Sequence, residues 1–188
     1  MSKSPPVYLG IDSASPYLAL ALWSQEGILA SFCEEVGRDH ATRIGAELET
    51  LLARAEVSRV DLAGVGVGVG PGSYTGLKVA VAVAKGITQG LGITLRGESS
   101  LAAMAAVTLT ESVPKGVVAL DARRGNVYAG VFERTHDGLL YGDVEKVSRA
   151  DLQARYPDLP YFENIAPDAA YLARRAAEGL EGAAPLYL

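Results

Sequence analysis

Residues 70–78 have the sequence Gly70-Pro71-Gly72-Ser73-Tyr74-Thr75-Gly76-Leu77-Lys78, in which glycine and proline end an apolar strand before a helix begins. The preceding residues 64–69 alternate glycine with valine, so one face of the strand can pack while the other permits close approach. Ser73 or Thr75 can cap a helix that we predict from about Tyr74 to Leu91. The loop can bind an anion on its free N–H groups, or it can simply turn the chain tightly. The sequence leaves both interpretations open.

This loop departs from two phosphate-binding motifs. A Walker A loop needs lysine directly after its second glycine, whereas Leu77 follows Gly76. The dinucleotide fingerprint fails because the glycines at 66, 68 and 70 stand at every second position and Pro71 takes the place of the third glycine. Neither class of nucleotide site is therefore assigned.

The composition predicts a soluble globular protein. The chain has 188 residues, 49% of them hydrophobic, and a net charge of −5 with no run of lysine or arginine. A standing nucleic-acid surface needs clustered positive charge, so any contact with RNA is expected to be indirect. Cys33 is the single cysteine, which excludes an intrachain disulfide and fits a cytoplasmic location. No segment approaches the ~20 apolar residues of a membrane span, so no membrane association is expected.

The first 110 residues predict the order βββαβαβα. We expect strands at 7–12, 18–23, 28–34, 65–69 and 94–97, and helices at 40–55, 74–91 and 99–109. The first three strands form an antiparallel meander, and the helix at 40–55 is amphipathic. We therefore expect residues 1–110 to form one α/β lobe.

The opening pattern then returns in residues 111–188. Strands at 117–121, 126–132 and 139–141, with a turn at Asp137-Gly138, repeat the meander, and Asp121 stands where Asp12 stood. Repetition of a whole unit indicates a duplicated fold, although hairpins are common enough to arise independently. The copy then shortens to brief segments at 152–159 and 161–162 and one alanine-rich helix, Ala169–Leu180. We expect 111–188 to form a second, abbreviated lobe.

Two such lobes resemble the duplicated, RNase H-like fold of actin-like ATPases, sugar kinases and heat-shock ATPases. The resemblance implies hairpins that clasp nucleotide phosphates, and it makes these the candidate vestigial phosphate-loop positions: Asp12, Ser13, Gly70, Gly72, Ser73 and Asp121. Asp12 can instead cap its own turn, which has no glycine to bring the backbone near a phosphate. Arg123 and Arg124 can pair with phosphate or carboxylate groups, or remain solvated.

Seven short segments are more specific than the repeat. They are Leu9–Ala14, Gly37–Ala41, Gly68–Lys78, Ala84–Gly86, Gly97–Leu101, Asp121–Tyr128 and Pro185–Leu188. Together they resemble the bacterial TsaB (YeaZ) family of tRNA threonylcarbamoyladenosine biosynthesis proteins. Residues 144–184 are shorter than the family leads us to expect, which leaves the function of the second lobe open.

The resemblance implies a non-catalytic partner of the catalytic subunit TsaD, joined by the ATPase TsaE, and a homodimer when TsaD is absent. It implies no tightly bound cofactor, with weak ATP or ADP binding left open, and only indirect contact with tRNA. The alternative is an ATP-dependent small-molecule kinase or ATPase of the same fold, which needs a carboxylate base and a magnesium ligand. A purely structural dimer is a third hypothesis.

Few residues are suited to metal or nucleophilic chemistry. His40 and His136 lie far apart, and the histidine pair of the related catalytic subunit is absent, so no metal site is assigned. Cys33 alternates with apolar neighbours and is expected to be a packed thiol rather than a nucleophile. No catalytic residue is assigned.

The helix after the glycine loop suggests a contact surface. Ala82, Gly86 and Gly90 are spaced by four and lie in one line, facing either the lobe's own sheet or another subunit. Two glycines inside a helix cost up to ~1 kcal/mol each relative to alanine, which close approach of a partner helix can offset. The predicted partner interface comprises His40, Ile44, Leu48, Leu51, Lys78, Ala82, Gly86 and Gly90.

Overall fold

The computed structural model describes residues 5–136 and 138–179. The predicted turn residue Asp137, the predicted helix end at Leu180 and the motif Pro185–Leu188 lie outside the described residues.

The first lobe has the predicted order of elements. Its strands are β1 (Val7–Asp12), β2 (Tyr17–Ser24), β3 (Gly27–Glu35), β4 (Leu62–Gly68) and β5 (Thr94–Glu98), and its helices are α1 (His40–Arg54), α2 (Tyr74–Leu91) and α3 (Ser100–Thr108). The sheet order is β3-β2-β1-β4-β5. The first three strands pair antiparallel, whereas β4 pairs parallel with β1 and β5 parallel with β4. A crossover helix separates β4 from β5, as a parallel connection requires.

The second lobe repeats this arrangement in shortened form. It contains β6 (Lys115–Asp121), β7 (Asn126–Thr135), β8 (Gly138–Tyr141), β9 (Glu145–Ser148), α4 (Arg149–Arg155), β10 (Tyr161–Glu163) and α5 (Ala169–Ala177). The sheet order is β10-β6-β7-β8, with β9 also paired to β7. Since β7 pairs antiparallel and β10 parallel with β6, the order matches β4-β1-β2-β3 of the first lobe. This confirms the predicted duplicated α/β fold with an abbreviated second lobe.

The last described helix returns to the first sheet. Ala169 and Ala170 of α5 pack against Ala19 and Ala21 of β2. Conversely, helix α3 of the first lobe packs against the second sheet, where Leu101 and neighbouring residues share a core with strands β6 and β7. The boundary at residues 110 and 111 remains a prediction, but each lobe clearly contributes a helix to the other lobe's packing.

The two ends of α2 follow from its sequence. The Ser73 side chain accepts a hydrogen bond from Gly76 N at 3.3 Å, so Ser73 rather than Thr75 is the cap. The helix ends at Gly92, whose left-handed φ of 68° suits glycine. The predicted span of α2 is therefore confirmed.

The structure corrects the part of the predicted interface that lies on α1. Ile44, Leu48 and Leu51 belong to the first lobe's hydrophobic core, and His40 is 6% exposed. They form the apolar stripe with which this helix packs on its own sheet. His40, Ile44 and Leu51 are therefore not available to a partner subunit, and Leu48 is exposed only where it borders a groove beside α2. Among the described residues, no helix is both long and apolar enough to cross a membrane.

Candidate functional site

Asp12, at the end of β1, is completely buried. Its Oδ1 accepts a hydrogen bond from Ala14 N at 2.8 Å, whereas Oδ2 has no hydrogen-bond partner among the described residues. Burial raises the pKa of the Asp12 carboxyl, and the nearby Ser100 hydroxyl, the Ala14 N–H and His40 only partly oppose this rise. Asp12 therefore sits where its charged form is disfavoured.

The glycine loop closes this corner by packing directly on the first hairpin. Ser73 N donates a hydrogen bond to Ala14 O at 2.7 Å, and Ser13 Oγ donates to Gly76 O at 2.7 Å. A Cβ atom at Gly72 would lie 2.2 Å from Ala14 O. Of the two interpretations of the loop, the structure shows the tight turn, because the backbone that it approaches belongs to its own hairpin.

The same loop is tied to the start of α3. Gly70 N donates to Ser100 Oγ at 3.2 Å, and Ser100 N donates back to Gly70 O at 2.9 Å. Five of the six candidate phosphate-loop positions are thus brought together, namely Asp12, Ser13, Gly70, Gly72 and Ser73. Hydrogen bonds from the glycine loop to the first hairpin and to Ser100 close off the end of the first sheet, and we call this arrangement the seal.

The sixth position, Asp121, lies at the corresponding end of β6 and is exposed. Its backbone N–H donates to Asn164 Oδ1 at 2.9 Å, and its carboxylate lies 3.5 Å from Arg149 Nη2. The internal repeat thus places an aspartate at both hairpins, but only the first hairpin is sealed.

A cluster of charged side chains, not predicted from the sequence, joins β5, β8 and α5. Glu98 Oε1 accepts from Tyr141 Oη at 2.6 Å, and Glu98 Oε2 accepts from Arg175 Nε at 3.0 Å. Arg96 Nη2 lies 3.6 Å from the same carboxylate. Burial alone would raise the pKa of Glu98, but hydrogen bonds from Tyr141, Arg175 and Ser99 N lower it overall. Burial and Glu98 together raise the pKa of Tyr141.

The outer face of α2 is open. Lys78, Ala82, Gly86 and Gly90 are all exposed, and a Cβ atom placed at Gly86 or Gly90 would have no neighbour within 4 Å among the residues that the structure describes. The small-residue line therefore faces away from its own sheet. A groove of ≈ 410 Å³ runs beside it. Its apolar lining residues are Leu48, Leu52, Leu62, Val83, Ile87 and Leu91, and the ion-paired Glu49 and Arg59 also line it.

The remaining reactive side chains have ordinary surroundings. His40 Nε2 lies 3.1 Å from Tyr17 O, a contact that fixes the start of α1. Cys33 is exposed on the edge strand β3, so the prediction of a packed thiol is wrong. The described part of the chain contains no group of three histidine, cysteine or acidic residues arranged to hold a metal ion.

Comparison with known proteins now identifies the family. A model of the TsaD family, described as tRNA N6-adenosine threonylcarbamoyltransferase, matches residues 25–179. The chain belongs to this family. Its curated relatives include the tRNA threonylcarbamoyladenosine biosynthesis protein TsaB of Escherichia coli (strain K12), 31% identical over 136 residues, and that of Bacillus subtilis (strain 168), 32% identical over 127 residues. The resemblance to TsaB is confirmed.

These matches cover 72% and 66% of this chain but 58% and 54% of the two relatives. The chain thus spans little more than half the length of the curated relatives that it matches. Among solved structures, YeaZ from Pseudomonas aeruginosa has a TM-score of 0.82 at 22% identity, covering 97% of this chain and 100% of that chain. A second structure, titled an uncharacterized protein with similarity to peptidase YeaZ from Pseudomonas aeruginosa, has a TM-score of 0.84. Both similarities establish the fold.

Proposed function

We propose that this member of the TsaD family is a non-catalytic subunit that binds and activates a separate TsaD enzyme in forming threonylcarbamoyladenosine at position 37 of tRNA. The observation that carries the proposal is the open line of Ala82, Gly86 and Gly90 on α2. Glycines inside a helix weaken it, so an exposed line of them is best explained by a partner helix that needs the space.

The surroundings of this line support a protein contact. Val83, Ile87 and Leu91 are only half-buried and border the groove between α1 and α2. Removing apolar surface of this kind from water by covering it with a partner lowers the free energy. Lys78, whose ammonium lies 4.0 Å from the centre of the Tyr74 ring, adds a polar boundary at the start of the helix. Of the eight predicted interface residues, four belong to this proposed surface: Lys78, Ala82, Gly86 and Gly90.

The sealed first hairpin supports a role without catalysis. An Asp12 carboxylate acting on bound nucleotide would need to reach the phosphates or their metal, but it is completely buried, and the glycine loop packs on its hairpin through the Ser73–Ala14 contact. The partner would thus perform the transfer. We expect no tightly bound cofactor and at most weak binding of ATP or ADP.

The proposal extends to the wider assembly. TsaE joins the complex, and a second copy of this chain covers the α2 face when TsaD is absent. Because the chain has a net charge of −5, most of the affinity for tRNA comes from the partner. The proposed tRNA modification takes place in the cytoplasm.

The test is co-purification of the chain with TsaD from the same cell, followed by titration of the purified partners. Gly86→Leu should abolish binding, because it adds volume where the helices meet. The matched control is Gly142→Leu, which adds the same volume at another open glycine, in the second lobe. If Gly86→Leu binds TsaD as tightly as the unchanged chain, the proposed interface is wrong.

One observation favours the alternative of an ATP-dependent kinase or ATPase. Within the described part of the chain, Asp12 Oδ2 is buried without a hydrogen-bond partner, so it could bind a phosphate-bound metal ion if the glycine loop moved away. ATP turnover that disappears in Asp12→Ala would establish the alternative. Turnover no greater than background, with TsaD binding intact, would support the subunit.

A further inference from the structure

The two hairpins that the internal repeat makes equivalent differ in their exposure. At the first hairpin, residues 12–15 are buried beneath the glycine loop. At the second, Asp121, Arg123, Arg124 and Gly125 are all exposed. The second hairpin therefore presents its side chains to solvent.

The backbone of this turn is held firmly. Ala122 N donates to Asn126 O at 2.9 Å, Asn126 N donates to Arg123 O at 3.1 Å, and Arg149 N donates to Gly125 O at 3.0 Å. These bonds fix Arg123, Arg124 and Gly125 in the left-handed region, at φ values of 65°, 54° and 79°. Two arginines thus have a backbone conformation that glycine or asparagine adopts more easily.

The positive charges of the Arg123 and Arg124 side chains are not balanced by an ion pair in the described part of the chain. Neither Arg123 nor Arg124 has a side-chain hydrogen bond or ion pair within the described ranges, 5–136 and 138–179. Two acids at this end of the second sheet, Asp121 and Glu163, both face Arg149, whose Nη2 lies 2.5 Å from Glu163 Oε1 and 3.5 Å from Asp121 Oδ1. A rigid turn therefore carries two free positive charges.

The adjoining strand β9 adds one more exposed cation, Lys146. Lys146 on β9 is paired with Tyr128 on β7, and its ammonium lies 5.7 Å from the centre of the Tyr128 ring. Two exposed arginines on a turn, with a lysine and an aromatic ring on the adjoining strands, suit an extended chain of phosphates better than a small enclosed anion.

We propose that the Arg123–Arg124 turn contacts the phosphate backbone of tRNA. This inference rests on the proposed function and goes beyond it, because it assigns a direct RNA contact to a chain whose overall charge predicts only an indirect one. The turn adds a few phosphate contacts to an RNA that TsaD holds. It reads no bases, since phosphate contacts fix position without carrying sequence information.

The test measures binding of an unmodified tRNA transcript to the assembly with TsaD over a range of salt concentrations. The variant is Arg123→Asn with Arg124→Asn, because asparagine tolerates the left-handed backbone and carries no charge. The affinity should fall on the order of 10-fold at ~0.1 M salt, and the slope of log K against log salt should shrink by about 1–2. The control is Arg38→Ala with Lys115→Ala, which makes the same change in net charge away from this turn.

Three outcomes would overturn the inference. The first is that the tRNA affinity and its salt slope are unchanged in the asparagine variant. The second is that the control variant lowers both as much as the asparagine variant does. The third is that the asparagine variant weakens binding to TsaD itself, which would assign the turn to a protein partner. If no assembly with TsaD forms, the proposed function fails separately. In that case, binding of tRNA to the chain alone is measured at low salt. If the unchanged chain and the asparagine variant retain tRNA equally, the proposed contact is rejected.

Discussion

The hydroxyl of Tyr141 donates a 2.6 Å hydrogen bond to Glu98, joining β8 of the second sheet to the end of β5 in the first. Arg175 of α5 binds the other oxygen of the same carboxylate at 3.0 Å. One buried acid thus holds three elements that are distant in sequence. The lobes are linked at this point by charge and hydrogen bonds as well as by apolar packing.

Replacing this acid should weaken the whole fold. In Glu98→Gln the carboxylate charge is lost while Arg96 and Arg175 remain, so we expect the free energy of unfolding to fall by about 1–3 kcal/mol. Urea denaturation measures it. Glu133→Gln is the matched control, because Glu133 forms an exposed pair with Lys115 and should cost ~1 kcal/mol or less. Equal effects of the two substitutions would contradict a structural role for the cluster.

Glu98 and Asp12 should give stability opposite dependences on pH. The folded pKa of Glu98 is lowered, so its contribution is complete above the ordinary value of 4.5 and is lost as the pH falls through the folded value. The folded pKa of Asp12 is raised above 3.8, so its contribution is present below that value and is lost as the pH rises through the folded value.

Asp12→Asn should therefore stabilise the protein at neutral pH. Asparagine keeps the oxygen that accepts from Ala14 N, and it removes the charge that burial disfavours. We expect the gain in unfolding free energy to grow from pH 4 to pH 8, as measured by urea denaturation at each pH. Asp121→Asn makes the same chemical change at the exposed hairpin and serves as the control. A loss of stability in Asp12→Asn at pH 8 would mean that the charge is needed.

The packing of α5 on the first sheet can be tested at Gly66. A Cβ atom there would lie 2.0 Å from Leu172 O in the α5 backbone, so Gly66→Ala should displace this helix and cost ~1–3 kcal/mol or more. Gly86→Ala, whose Cβ atom meets no neighbour in the described part of the chain, should be neutral or stabilising by up to ~1 kcal/mol. Thermal unfolding compares them. An unaffected Gly66→Ala variant would show that α5 does not lie against this strand.

The sequence was most informative where the pattern is local. The apolar runs of β1 and β2, the serine offered as a cap at Ser73 and the predicted end of α2 at Leu91 each depend on neighbouring residues, and the structure matches them. The stripe of Ile44, Leu48 and Leu51 was also visible, but periodicity does not say what covers an apolar face. Here the covering element is the helix's own sheet, which uses the stripe as core.

Other features depend on contacts between distant segments. Glu98 and Arg175 are 77 positions apart, and no spacing rule connects them. The return of α5 to the first sheet places Ala169 against Ala19 and Ala21, which an alanine-rich helix alone does not indicate. The seal over Asp12 likewise requires that the loop at Gly72 meet the hairpin at Ala14.

The chain alone should form a homodimer through the α2 face. A surface made for a related partner can pair with its own copy about a two-fold axis, burying the groove beside Gly90 and Ile87. Sedimentation at about 10–50 µM should show a dimer, which an interface of ordinary size supports. Gly90→Leu should give a monomer, because the added side chain occupies the space that the second helix needs. Its unfolding free energy should be unchanged or raised by up to ~1 kcal/mol, since leucine favours a helix more than glycine does. A Gly90→Leu variant that still sediments as a dimer would place the contact on another surface, and one that unfolds would show that Gly90 packs within its own lobe.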